Sequence, residues 1–225
     1  MQRIPEPELM LEEDQVRAYA EADFEEPHGR FISLFQEVFP EAGAEAKVLD
    51  LGCGSGDIAR RFAKACPEAV VDALDGSPAM LRAARKMTEG ISERVRFIEC
   101  RLPLKEPLFG PYDLVVSNSL LHHLEDPGVL WRTIAELSRP GARIFVQDLM
   151  RPGSVAEAAA LTELYAGGEP DVLRRDFYNS LCAAYRPGEV RLQLEAAGLG
   201  YLSLEVVSDR HLIVWGRVKT RDATG

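Results

Sequence analysis

Val48-Leu-Asp-Leu-Gly-Cys-Gly-Ser-Gly-Asp-Ile-Ala59 joins an apolar run to a glycine loop and then to the start of an amphipathic segment. Lys47-Val-Leu-Asp-Leu51 reads as a buried strand. Asp57-Ile-Ala-Arg-Arg-Phe-Ala-Lys-Ala65 reads as a helix, because its apolar positions recur at three and four. Between them Gly52, Gly54 and Gly56 leave backbone that a ligand can approach closely, since no side chain stands in the way. Strand, glycine loop and helix in succession predict a ligand site. A P-loop is excluded, because no Gly-Lys-Ser/Thr follows. Gly54-Ser-Gly56-Asp-Ile-Ala59 does fit the dinucleotide spacing G-x-G-x-x-G/A. However, Asp50 and Asp57 flank it and no Lys or Arg occurs before Arg60, a field that disfavours a pyrophosphate.

Outward from the loop, apolar runs alternate with amphipathic ones. Ala69-Val-Val-Asp-Ala-Leu-Asp75 is the next strand, and Ser77-Pro78 starts a helix with Ser as N-cap and Pro at the first helical position. Val95–Cys100, Tyr112–Ser117 and Ala142–Asp148 supply further strands, the last two separated by a helix over about Gly128 to Leu137. Such alternation predicts a parallel sheet covered by helices on both faces. After Asp148 the rhythm breaks. Arg151-Pro-Gly-Ser154 opens an Ala-rich helix that Gly167-Gly168 ends, Asp171 to Arg186 is an aromatic and polar stretch, and Pro187 to Ala197 is helical again. Leu202–Val207 and Leu212–Val218 flank a short turn and predict an antiparallel hairpin that ends the sheet. Two helices over 8 to 40 precede the sheet.

Composition narrows the function classes. The 225 residues carry 26 Lys+Arg against 36 Asp+Glu, a formal charge of -10, which disfavours a nucleic-acid partner. No apolar run reaches the ~18 to 20 residues of a membrane span, and the N-terminus lacks a signal-peptide layout. A soluble, cytoplasmic protein is the expectation. Cys53, Cys66, Cys100 and Cys182 are widely spaced, and no His stands at metal-ligand spacing. Free thiols and no metal are therefore expected.

A ligand with an ammonium and a sulfonium suits a cradle of carboxylates, and S-adenosylmethionine is such a ligand. Asp75 ends the second strand about 20 residues after the loop, placed to accept the hydroxyls of a ribose. A cap on the Ser77 helix is its plainer alternative. Further matches follow in order: Leu74-Asp-Gly-Ser-Pro-Ala-Met-Leu81, Tyr112-Asp-Leu-Val-Val-Ser-Asn-Ser-Leu-Leu-His-His-Leu124, and Leu137-Ser-Arg-Pro-Gly-Ala142 before a strand. With the glycine loop, these resemble the motifs of class I S-adenosylmethionine-dependent methyltransferases over about residues 47 to 150. The resemblance implies an α/β, three-layer Rossmann-like sandwich whose seven-stranded, mostly parallel sheet ends in an antiparallel hairpin. The leading helices are expected to form an N-terminal cap at 1–45 ahead of a methyltransferase domain at 46–225, whose segment at about 151–187 is inserted where a lid over the acceptor would lie. The resemblance also implies cofactor contacts from Asp50, Gly52, Cys53, Gly54 and Gly56, from Asp75, Gly76, Ser77 and Met80, and from Asn118 and Ser119. The family's usual acid after the third strand is missing, so Glu99 or the backbone of Arg101 and Leu102 is expected at the adenine. The glycine loop is also similar to that of quinone-type C-methyltransferases.

Methyl transfer from a sulfonium needs alignment in a dry pocket, and a hydroxyl or activated-carbon acceptor also needs a base. His122 and His123 follow the fourth strand on the ligand side of the sheet, and Asp148 closes the fifth. These three are the candidate catalytic residues, with packing or capping as the alternative. His211, in the hairpin turn, is expected to be structural. Tyr165, Tyr178, Asn179 and Arg186 of the inserted segment, with Tyr19 from the leading helices, are candidates for recognising a small, partly polar acceptor. An oligomer contact, such as a homodimer, is the equally weighted role for that segment. A nucleoside-binding module without catalysis and a nicotinamide-dependent oxidoreductase are the competing functions.

Overall fold

The computed structural model describes residues 1–7, 9–10, 13–41, 47–88, 90, 93–105 and 110–219. Helices α1 (Glu13–Glu21) and α2 (Glu25–Val38) lead into β1 (Lys47–Leu51), α3 (Asp57–Ala65), β2 (Val70–Asp75), α4 (Pro78–Met87) and β3 (Val95–Glu99). Next come β4 (Tyr112–Asn118), a 3-10 turn (Leu121–His123), α5 (Gly128–Leu137) and β5 (Ser138–Leu149). The chain ends through α6 (Val155–Ala166), α7 (Asp171–Ala183), α8 (Pro187–Ala196), β6 (Ser203–Val206) and β7 (His211–Arg217).

Seven strands form one sheet in the order β3-β2-β1-β4-β5-β7-β6. β1 pairs in parallel with both β2 and β4, so the strand order reverses between β1 and β4. In open α/β sheets a ligand crevice lies at the carboxyl ends of the strands flanking such a reversal. The register Leu51↔Ser117 sets the glycine loop beside Asn118 there. The expected hairpin ends the sheet, with β7 on its inner side. This strand lies between β5 and β6, antiparallel to both. Its run Leu212, Ile213 and Val214 is almost fully buried and suits a two-sided position, whereas β6 exposes Glu205 and Val206 and takes the edge.

Alternation along β1 fills both faces. Val48 faces a cluster with Phe31 and Phe35 of α2 and Phe62 of α3. Leu49 and Leu51 face Leu130, Trp131 and Ile134 of α5 and Val190 and Leu194 of α8. Phe31 meets Phe145 and Phe35 meets Phe62 edge to face, each pair 4.9 Å between centroids. Asp72, fully buried in β2, accepts two hydrogen bonds from Arg96 at 2.5 and 2.7 Å and one from the Tyr112 hydroxyl at 2.7 Å. No helix among the described residues is long and apolar enough to cross a membrane.

The aromatic and polar stretch after Asp171 is helical as far as Ala183. Leu173, Asp176, Phe177 and Ser180 recur at three and four, so they share one face. α6 begins as expected at Ser154, whose Oγ accepts from the Glu157 N–H at 3.1 Å, while the Glu157 carboxylate accepts from the Gly153 N–H at 2.7 Å. Ser154→Ala is expected to cost about 1 kcal/mol, the usual loss of an N-cap, in urea unfolding.

Candidate active site

A cavity of 440 Å³ opens at the β1/β4 switch. Asp50, Gly52, Cys53 and Gly54 line its first lobe with Asp75, Gly76, Ser77 and Met80, and Arg101, Leu102, Asn118 and Ser119 complete it. Gly54 has φ +52°, and a Cβ built there would meet nothing within 4 Å. Its backbone therefore faces open space. Gly56 does not reach the cavity. A Cβ there would stand 3.0 Å from Ala84 and Phe97, so this glycine serves helix packing. Glu99 is exposed and off the lining, leaving Arg101 and Leu102 on the wall after β3.

Asp50 is 1% exposed, and its Oδ2 has no hydrogen-bond partner. Burial, with Asp75 close by, pushes its carboxyl up to about 7. Asp75 accepts from the Gly54 N–H at 2.8 Å and from the Ser77 N–H at 2.7 Å, so it shapes the loop and the α4 entry as well as lining the cavity. Asp57 is spent elsewhere. Arg60, Arg61 and His28 hold it, and its carboxyl lies well below the usual range despite burial. The acidity of the cradle thus resides in Asp50 and Asp75, and the Asp57 part of the argument against a pyrophosphate falls away.

Tyr19, Phe24 and His28 form a roof, with Tyr19 and Phe24 4.7 Å apart and Phe24 stacked on His28 at 5.0 Å. Burial beside Asp75 pushes the Tyr19 hydroxyl up to about 12. The chain start passes over the same opening. Ser77 Oγ donates to the Met10 carbonyl at 2.7 Å, and Leu9 lies so close above Gly76 that a Cβ there would be 2.8 Å from its Cδ2.

His122 and His123 line the second lobe, but Asp148 is not on its wall. It lies behind His122, its Oδ1 2.6 Å from Nδ1, and it also accepts from the Leu121 and Leu149 N–H groups. Asp148 therefore orients an imidazole instead of facing an acceptor. Burial opposes the His122 cation, yet Asp148 and Glu6 outweigh it and raise the imidazole above its usual value. The first residues form a strap across this lobe. Arg3 donates to the carbonyls of Ala183, His122 and Leu124, and the Ile4 N–H donates to Cys182. Glu6 Oε1 accepts from Ser180 Oγ at 2.9 Å.

Leu173, Asp176, Phe177 and Ser180 of α7, with Tyr165 and Glu169, wall this lobe. Tyr178, Asn179 and Arg186 do not. Tyr178 and Asn179 fall off the cavity-facing stripe of α7, and Arg186 caps α8 and donates to the Met1 carbonyl at 3.3 Å. Arg210 of the hairpin turn and His211, the first residue of β7, also reach the wall. Arg210 stacks over the Tyr165 ring at 3.3 Å, and the Tyr165 hydroxyl donates to Asp209 at 2.7 Å. The His211 ring also stands 3.2 Å from Ser208 Oγ within the hairpin, and burial pushes its imidazole down to about 4.

Sheet order, glycine cradle and paired carboxylates find their counterpart among known proteins. Residues 49–144 match a family model described as a methyltransferase domain. Over 167 residues the chain is 31% identical to a ubiquinone biosynthesis O-methyltransferase of Xanthomonas oryzae pv. oryzae, covering 70% of this chain and 67% of that protein. The chain belongs to the class I S-adenosylmethionine-dependent methyltransferases. A second relative of the same description, from Xanthomonas euvesicatoria pv. vesicatoria, is 32% identical over 163 residues, covering 69% of this chain and 63% of its own. The methyltransferase chain thus spans a little under two thirds of that relative's length. The fold is shared with the plantazolicin methyltransferase BpumL, solved with a pentazolic desmethylPZN analog and SAH (TM-score 0.71, 16% identity, 92% and 91% coverage). It is also shared with a SAM dependent methyltransferase from Aquifex aeolicus (TM-score 0.65, 16% identity, 93% and 100% coverage). The residues present fit the family's cofactor. A buried carboxylate oxygen without a partner stands beside backbone open enough to admit a ligand, as a cationic amino acid moiety requires.

Proposed function

We propose that this protein transfers a methyl group from S-adenosylmethionine to a hydroxyl of a small, partly aromatic molecule. The observation that carries the cofactor assignment is Asp50, a buried carboxyl with an unpartnered oxygen beside the Gly54 backbone. The oxygen acceptor follows the name of the curated relatives. When bound, S-adenosylmethionine supplies a methyl carbon on a cationic sulfur that becomes neutral on transfer.

In this reading Asp50 and the Gly52–Gly54 backbone hold the methionine end and Asp75 the ribose. Met80, Arg101 and Leu102 flank the adenine, and Asn118 and Ser119 border the methyl. The roof of Tyr19 and Phe24 and the strap at Leu9 and Met10 exclude water, which strengthens the electrostatics inside. Leu173, Phe177 and Tyr165 offer apolar platforms, with Asp176 and Arg210 as polar groups between them. His122, oriented by Asp148, and His123 beside it stand where the acceptor's hydroxyl is activated to lose its proton. Four free thiols, two of them buried, support a reducing, cytoplasmic setting.

Asp75→Ala is expected to weaken S-adenosylhomocysteine binding by about 1 to 3 kcal/mol, the range for lost charge-assisted hydrogen bonds; calorimetry checks it. The test of the function is a labelled-methyl assay over a panel of small phenols and their amine analogues. Methylated phenols are the expected products. Transfer confined to the amines would overturn the hydroxyl assignment, and no transfer to any acceptor in the panel or in cell extract would overturn the enzyme.

A further inference from the structure

We propose that Glu6, His122 and His123 form a divalent-metal site on the acceptor side of the cavity. Each offers one donor atom, and the three atoms lie within 4.8 Å of one another. Glu6 Oε1 is 3.5 Å from His122 Nε2 and 3.3 Å from His123 Nδ1. Around a zinc ion with nitrogen and oxygen ligands at about 2.0 to 2.1 Å, tetrahedral ligands stand roughly 3.3 to 3.4 Å apart, so two of the three edges already have the required length. The third, at most 4.8 Å, needs a closure of no more than about 1.5 Å.

The surroundings favour a ligand set over a chance cluster. His122 presents Nε2 because its other nitrogen is held by Asp148 at 2.6 Å, the carboxylate–histidine arrangement that orients metal-bound imidazoles. His123 Nδ1 is buried, makes no regular hydrogen bond and faces the Glu6 carboxylate at 3.3 Å, while Pro7 of the strap holds the same ring through its backbone. Ser180 Oγ fixes the carboxylate of Glu6 at 2.9 Å. Two histidines and a glutamate make the composition of open, catalytic zinc sites. The two imidazoles line the cavity, which leaves the remaining coordination position toward the acceptor.

The role of the ion deepens the methyl-transfer reading and rests on it, whereas the site itself does not. A cation there binds the acceptor hydroxyl through oxygen and lowers its pKa. The O–H bond breaks as the acceptor enters the cavity and binds the ion, and its proton passes to bulk water before methyl transfer. The freed oxygen pair forms the O–CH₃ bond, and the C–S pair returns to sulfur. His122 is then a ligand, and the proton is displaced at the ion instead of being carried on an imidazole.

The test uses the full chain after chelation. Zn²⁺ alone is titrated by calorimetry and Co²⁺ alone by visible absorption. One equivalent should bind with Kd about 1 µM or tighter, and Co²⁺ should show the intense bands of a four-coordinate site. Glu6→Gln keeps the shape of a side chain that is 10% exposed and should weaken binding at least about tenfold while S-adenosylhomocysteine affinity holds. Substoichiometric binding, or equal Co²⁺ affinity in Glu6→Gln, overturns the site. A chelated protein that methylates its acceptor at full rate, with no gain on adding Zn²⁺, removes the catalytic role. Metal binding without any binding of S-adenosylhomocysteine would overturn the methyltransferase reading and leave the site standing.

Discussion

Gly54→Val is expected to abolish cofactor binding, by about a thousandfold or ~4 kcal/mol, in a chain that still folds. Two facts separate the effects. The φ of +52° strains any residue with a Cβ, costing stability of the order of 1 to 2 kcal/mol. The space around that Cβ is empty to 4 Å, so no protein atom must move. The added methyls instead occupy the open side of the cradle, where the proposed ligand approaches the backbone. Thermal melting should show a modest loss, and calorimetry with S-adenosylhomocysteine should show no heat. An unchanged affinity in the folded variant would take the loop out of the site. Gly56 makes the contrast, since a side chain there runs into Ala84 and Phe97 and would damage the fold itself.

Asp50→Asn should weaken the same ligand by about a hundredfold, ~3 kcal/mol, and stabilise the ligand-free protein. The sign follows from where the carboxyl titrates. Its usual value is 3.8, and in the folded chain burial and then Asp75 push it up to about 7. Between those values the folded state holds a proton that the unfolded state has released, so stability falls as pH rises from about 4 to 7 and is level above. Asparagine carries no such penalty, and the variant's advantage should grow across that window. Binding of a cationic ligand has the opposite trend. It needs the ionised carboxylate, so the wild-type affinity should tighten, by up to about tenfold per unit, as pH rises toward 7, and the variant should lack that slope. Parallel pH profiles of melting and of calorimetric affinity check both signs. Identical slopes in the two proteins would show that Asp50 neither titrates nor meets the ligand's charge.

The cradle was legible because strand, glycine loop and helix are contiguous, and each follows from local rules: β1 from its apolar run, α3 from its period, α4 from Ser77 and Pro78. The hairpin that ends the sheet was legible from its short turn, and the all-apolar run of β7 accounts for its inner position. What stayed hidden depends on contacts between distant segments. α7 was obscured because Arg174, Arg175 and Tyr178 interrupt the eye on its outer faces, although Leu173, Asp176, Phe177 and Ser180 keep a helical spacing. The strap has no periodicity at all, so nothing local brings Glu6 to His122. Asp148 was found as a strand-end acid, yet only the fold shows that it stands behind the imidazole and off the cavity wall. His211 looked like a turn residue because its approach to the cavity depends on the pairing of Leu149 with His211.

The central claim is that the Asp50 and Asp75 cradle selects a cationic thioether nucleoside over a dinucleotide. Native mass spectrometry of the purified chain with equimolar S-adenosylmethionine and NAD tests it most directly. The account predicts a single adduct of the S-adenosylmethionine mass, which Gly54→Val loses. An adduct of the NAD mass, displacing the other, would contradict it.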